Sequence, residues 1–592
     1  MKILLVLCRP VLSLLLLGLG WGCTEKKAVP SRKALNELSL KAGRRLSCGP
    51  AEPKLGSVQF PVSCGATTQA DFNLGLKLLH SFEYDEAEKV FAAILYRQPD
   101  CRMAYWGVAM SNFHPLWTPP AEPELRKGAA ALKLAQTLPA SSPREADYVA
   151  ALTAFYQDWA TVAHPTRCLR FEQAMQKLAA KYPTDTEATV LYALALTAAA
   201  SPTDTTYARQ KKAGTILSAL YAGNPAHPGV VHYLIHAYDT PTLASLAVPA
   251  ARQYASLAPS SAHALHMPSH IFTRLGMWQE CIASNLASVS SAQCYAEQAG
   301  IEGHWDEELH GLDYLTYAYL QIGDNARARQ QWEYLKTIRT VSPVNFKVAY
   351  AFAAIPARYV LENKQWPDAA RLQSHAADFP WPQYPWQAAM LHFTRLLGAA
   401  RTADQPGAEA ELRELTRLHD ELVRQKDDYK ARQVAVQLTT GQAWIKLMQG
   451  KNQEALTLMT QAAEQEDATE KHPVTPSELL PARELLGDML LALRQPANAL
   501  VAYEASLRKH PNRFNGVYGA GRAAEESGNQ AKARRYYRHL LSFTQPTGSA
   551  RPELQAARDF LTKQVALQAV GAPRLPWPEA EKNRPSYDRN TP

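Results

Sequence analysis

The sequence predicts an all-α protein built as a solenoid of paired helices, and three observations carry that expectation. The chain has 592 residues, more than one compact core organises, so several domains or a repeat array are expected. Ala and Leu abound and no convincing run of alternating β-branched residues occurs, which favours helix and leaves strands rare. The chain also repeats itself. In "LLGDMLLALRQPANALVAYEASLRKHP" and "YGAGRAAEESGNQAKARRYYRHLL", Gly487 and Gly521, Ala499 and Ala533, and Tyr503 and Tyr537 each lie 34 residues apart, a period that marks a repeat architecture.

The residue types explain themselves physically. Small residues let two antiparallel helices approach, the aromatic fills the groove between them, and a Pro such as Pro511 ends one unit before the next. The pattern resembles the tetratricopeptide repeat (TPR), with a small residue at position 8, Ala at 20, an aromatic at 24 and Pro at 32. The resemblance implies an α-solenoid, a right-handed superhelix of helix-turn-helix units. It also implies a concave groove that binds a protein or peptide partner, faced by positions 2, 5, 9 and 12 of each first helix.

Along the chain, residues 1–23 read as a signal peptide. Lys2 and Arg9 flank an apolar core, "VLSLLLLGLGWG", that is too short for a comfortable membrane span. It ends at Gly22-Cys23, which is similar to a bacterial lipobox, although Gly20 stands where that pattern prefers Leu. A lipid anchor to the membrane at Cys23 and plain secretion are both open. Each implies export, to the periplasm or the outer membrane. Residues 24–65 form a polar leader, and 66–226 hold partly degenerate N-terminal units. There Leu74, Gly75, Ala87, Phe91 and Pro99 fit the repeat well, while Trp117 to Cys168 fits it poorly and is expected to hold longer helices. His-rich units span 227–342, C-terminal units 343–548, a capping helix 549–570 and an irregular tail 571–592.

Six cysteines follow Cys8 and Cys23, an even number that permits disulfides in an oxidising compartment. Cys48 and Cys64 are near neighbours and are the expected pair, whereas Cys281 reads as a small buried apolar residue. The net charge of +8 is small for the length and both signs are interleaved, so nucleic-acid binding is not indicated.

The histidines carry the functional reading. "HPGVVHYLIHAYD" and "HALHMPSHIF" each contain His-x-x-x-His: His232 and His236, then His266 and His270. With Gly276, Trp278 and Cys281 at repeat positions 15, 17 and 20, His232 and His266 share position 5, and His236 and His270 share position 9. His263 falls at position 2. In the following unit His310 takes position 2, Asp313 position 5 and Tyr317 position 9, with "GHWDEEL" (His304, Asp306, Glu307) delivered by an insertion before it. Helical spacing places His263, His266 and His270 on one face, and His232, His236 and Asp239 on another.

Two facing stripes on neighbouring helices suit a shared zinc or copper ion. The expected metal ligands are His232, His236, His263, His266, His270 and His310, with Asp239, Asp313 and Tyr317 lining a ligand-binding groove. "HYLIH" lacks the Glu of HExxH, so a hydrolase would need a base from Asp239, Asp313 or the insertion. Pro268 must kink its helix or start a fresh turn, and Met267 is either a soft copper ligand or packing. His80, His164, His375, His392, His419, His472, His510 and His539 show no clustering in sequence.

The combination of "HYLIHAYD", "HALHMPSHIF" and "FNGVYGAGRAAE" is similar to a group of exported bacterial TPR proteins. That resemblance implies the fold and an envelope location but no reaction. Three readings stand: a binding or scaffold protein with metal in its groove, a metal-dependent hydrolase, and a metal-free peptide-binding adaptor. Packing alone is the plain alternative for the histidines.

Overall fold

A computed structural model describes residues 29–50, 54–116, 119–139, 142–376, 378–544 and 551–571, the last helix by its side chains as far as 563. The signal-peptide and lipobox segment, Cys23 included, and the tail beyond Gly571 lie outside the described residues. From Ala66 to Phe543 the chain is a succession of antiparallel helix pairs, each helix packing chiefly on its neighbours in sequence. This is the all-α helical solenoid that the 34-residue period predicts. Two-residue strands, His304–Trp305 and Val341–Ser342, pair in parallel beside it. None of the described helices is long and apolar enough to cross a membrane.

The repeat residues pack as their chemistry demands. A Cβ on Gly75 would lie 2.6 Å from the Phe91 ring, one on Gly487 2.7 Å from Tyr503, and one on Gly521 2.7 Å from Tyr537. Small residue and aromatic thus face each other across each hairpin. The turns repeat as well: Phe82, Gly276, Gly323, Lys364, Gly450, Arg494 and Gly528 all have left-handed backbone where one helix hands over to the next. The residue after the turn starts the second helix, as Trp278 and Asn325 do.

Several expectations are refined. Residues after Trp117 do form full helices, Glu122–Thr137, Pro143–Tyr156 and His164–Lys181. The insertion before "GHWDEEL" is largely a continuation of the helix Trp278–Ala299, 22 residues long. The capping helix is Pro552–Gly571.

The leader is more than a leader. Leu35, Leu38, Leu55, Val58 and Phe60 are buried, and the segment is fastened along its length. Leu46 N–H donates to Glu86, Ser57 N–H to the Ala226 carbonyl and Lys54 N–H to Ser260 Oγ. The expected Cys48–Cys64 bond is not formed. Cys48 bonds to Cys294 and Cys64 to Cys101, because the leader runs across the helices instead of folding back on itself. Cys281 is free and buried, as its apolar reading requires, and so is Cys168.

Candidate metal centres

The helix Pro228–Tyr238 starts on Pro at its first turn, where the missing N–H costs nothing, and His227 caps it by accepting from Val230 N–H. Its His232 and His236 lie one turn apart and point the same way. The next first helix comes in two pieces, Ala262–His266 and Pro268–Leu275. Pro268 starts the fresh turn, but Met267 between them keeps helical dihedrals, so the face bearing His263, His266 and His270 runs on unbroken. Met267 is fully buried in the apolar core, which makes it packing.

The sequence frame expects the histidines of the two stripes to share a metal ion. They sort into two centres. His232, His236 and His263 form the first, and His266, His270 and His310 the second, with ligand atoms within 4.8 Å of one another in each. Each centre takes positions 5 and 9 of one unit and position 2 of the next. His310 arrives on the helix Asp306–Gln321.

Tautomers decide what these clusters can do. In the first centre His232 Nδ1 donates to the His80 carbonyl at 2.6 Å. A carbonyl only accepts, so neutral His232 has a bare Nε2. Two further nitrogens crowd that one lone pair: His236 Nε2 at 2.8 Å and His263 Nε2 at 3.2 Å. In the second centre His266 Nδ1 donates to Asn285 Oδ1 at 2.6 Å, an oxygen whose orientation is set by the Asn285 amide donating to the Cys281 carbonyl. His270 Nδ1 donates to Asp239 Oδ2 at 2.9 Å. The two Nε2 atoms face each other at 3.1 Å. Two nitrogens at that distance hold a proton or a metal ion between them. Three nitrogens around a tetrahedral zinc, each about 2.0–2.1 Å from it, would be about 3.3 Å apart.

The environment keeps the rings neutral. Burial, foremost, holds His232, His236, His266 and His310 well below the usual histidine range, with the neighbouring imidazoles adding to it. The same burial takes His263 down to about 3. Aromatic rings supply the apolar walls: Phe82 stacks on His236 and His263 at 5.4 and 5.3 Å, Tyr254 on His232 at 4.9 Å, and the Tyr314 edge meets His266 at 4.8 Å. Phe82 reaches them from the turn after the helix Ala66–His80.

Of the expected groove residues, Asp239 is at the site but as a support. Its Oδ1 accepts from Arg274 Nε at 2.8 Å while Oδ2 holds His270, so both oxygens are used. Asp313 pairs with Arg358, and Tyr317 accepts from Arg513 at 3.2 Å and packs on Trp278. Positions 5 and 9 of that third unit therefore meet guanidinium groups, and the structure does not bring them to the histidines. Glu307 and Asp306 from the insertion both pair with Lys347. The non-helical stretch 468–481 lies over this face: Glu470 accepts from Arg274, and the Ser477 carbonyl from Arg358.

A third cluster, unsuspected in sequence, joins His80, His227 and Glu187. His80 Nε2 donates to Glu187 at 3.0 Å and His227 Nε2 at 2.7 Å, while Tyr233 O–H and Val230 N–H donate to the two Nδ1 atoms. Every proton has a place, so this network is complete without a metal. It seats His80, whose carbonyl orients His232. No sequence signal beyond the "H" of "LLHSF" could have found it, because Glu187 lies 107 residues away from His80.

Fold and site together define a helical-repeat protein with two adjoining tri-histidine centres. No protein-family model matches the chain, and no curated protein does. Among solved structures, the human IFIT1 dimer with m7Gppp-AAAA is 12% identical, over 74% of this chain and 90% of that one, at a TM-score of 0.30. The P58(IPK) TPR domain is 12% identical over 84% of this chain and 99% of its own, at a TM-score of 0.18. Similarities at this level say nothing about function.

Proposed function

We propose that this chain is an exported metal-binding protein of the cell envelope, whose repeats hold one metal ion at each tri-histidine centre. The convergence of three imidazoles at each centre carries the reading: their ligand atoms lie within 4.8 Å of one another, and at the second centre His266 Nε2 and His270 Nε2 face each other at 3.1 Å while Asn285 and Asp239 hold the two Nδ1 atoms. Neutral imidazoles suit zinc and copper. Two disulfides, Cys48–Cys294 and Cys64–Cys101, support an oxidising compartment and hence export, with a lipid anchor at Cys23 as the extension of that reading.

The hydrolase reading is less favoured, because Asp239, Asp313 and Glu307 are each engaged by a cation and none is at liberty to act as base. An extended peptide partner is less favoured too, since the protein's own stretch 468–481 covers the face bearing positions 5 and 9. Elemental analysis of the purified mature chain tests the proposal beside a His232→Ala/His266→Ala variant. Two equivalents of zinc or copper, lost in the variant, are expected. A metal-free chain that takes up neither ion overturns it.

A further inference from the structure

Resting on that metal-binding reading, we propose that the two centres act as one dinuclear copper site that takes up dioxygen. The centres are built on a common strut. His263 of the first and His266 of the second are three residues apart on one helix, so their Cβ atoms are about 5–6 Å apart. Asp239, which ends the helix carrying His232 and His236, orients His270 of the second centre. The chain has thus tied the two ligand sets to each other.

Charge favours copper in its lower state. Six neutral imidazoles bring no negative charge, and the carboxylates nearby are engaged by cations, Asp239 by Arg274 and both Asp306 and Glu307 by Lys347, so little negative charge is left for a metal. Burying two divalent ions without counter-charge is expensive, whereas two Cu(I) ions halve the burden. Three nitrogens on each ion leave a coordination position open.

Size and polarity favour dioxygen. His232, His266 and His270 are 0%, 1% and 1% exposed and walled by Phe82, Tyr254 and Tyr314, with His263 alone at the partly open side. A small, neutral, apolar molecule enters such a place without losing hydration. Each Cu(I) gives one electron. Dioxygen accepts both, its double bond becomes a single bond, and each copper gains a bond to oxygen. The pair changes from two Cu(I) to two Cu(II) while a peroxide dianion arrives, so the net buried charge is unchanged and no proton is needed.

The test loads the mature, metal-stripped chain with Cu(I) under anaerobic conditions, then meters in dioxygen while following uptake and electron paramagnetic resonance. The expected result is one dioxygen per two coppers and a product without a resonance signal, because the two Cu(II) spins couple through the bridge. His263→Ala, at the accessible edge, and His310→Ala are each expected to keep one copper, lose that stoichiometry and give the signal of an isolated Cu(II). Circular dichroism checks that both stay folded. Two bound coppers that oxidise to two independent Cu(II) signals in the wild type overturn the dinuclear proposal and leave the metal reading intact. So does a chain that takes zinc but refuses copper. A chain that binds no metal overturns both.

Discussion

His270 Nδ1 donates to Asp239 Oδ2 across 2.9 Å, so the residue that closes the helix of one histidine cluster holds a histidine of the other. The carboxylate orients the His270 ring and raises the basicity of its Nε2. Its second oxygen is occupied by Arg274, which keeps Asp239 ionised: although burial alone would raise its pKa, Lys471, Arg274 and His270 hold it well below the usual carboxylate range.

Asp239→Asn is therefore expected to lower metal affinity at the His266/His270/His310 centre by about 10–100-fold and to leave the other centre close to its original affinity. Competition against a chelator of known strength reads the two steps separately. Equal weakening of both, or of neither, contradicts the assigned role.

Gly487 abuts the Tyr503 ring, and a Cβ there would lie 2.7 Å from it. Gly487→Ala is expected to destabilise the chain by about 1–3 kcal/mol through overpacking, measured as a lower urea midpoint. Ala at Gly450, where a Cβ meets nothing but the backbone is left-handed, tests strain alone.

The Cys48–Cys294 bond pins the leader to a helix 246 residues away. Replacing both cysteines by Ala is expected to cost about 2–5 kcal/mol and to expose the leader to protease while the repeats resist. A leader that stays protected would show that Leu35, Leu38 and Phe60 hold it unaided.

Lys471 is buried beside Asp239 and donates to the Thr475 carbonyl at 2.7 Å. Burial, with Arg274 nearby, brings its ammonium down to about 8 from its ordinary 10.5. Below about 8 folded and unfolded chains both hold the proton. Between there and 10.5 the unfolded chain alone binds it, so stability from this group rises with pH across that window. Denaturant titrations at successive pH values should show the rise in the wild type and its absence in Lys471→Met. Parallel profiles would contradict it.

The fold was legible because its signals are local. Gly75 and Phe91, Gly487 and Tyr503, or Gly521 and Tyr537 sit at fixed offsets within one hairpin, and steric fit couples them there. The histidines were legible for the same reason, since position in the repeat fixes the face. Their partition was not. Whether His263 joins His232 or His266 depends on the rotation between successive units, which no residue spacing encodes. Long-range partners were hidden altogether: Glu187 under His80, Cys294 beyond Cys48, and the stretch around Glu470 and Ser477 that covers the face. Asp313 and Tyr317 kept their places in the frame, but their chemistry was set by Arg358 and Arg513 from distant units.

If the proposed reading holds, two metal ions sit side by side, each enclosed by three imidazoles. Anomalous diffraction from crystals of the metal-loaded chain, collected on both sides of the metal absorption edge, tests it most directly. Two peaks are expected, one bounded by His232, His236 and His263 and the other by His266, His270 and His310. A single peak shared between His232 and His266, or none at either cluster in crystals soaked with zinc and with copper, would contradict it.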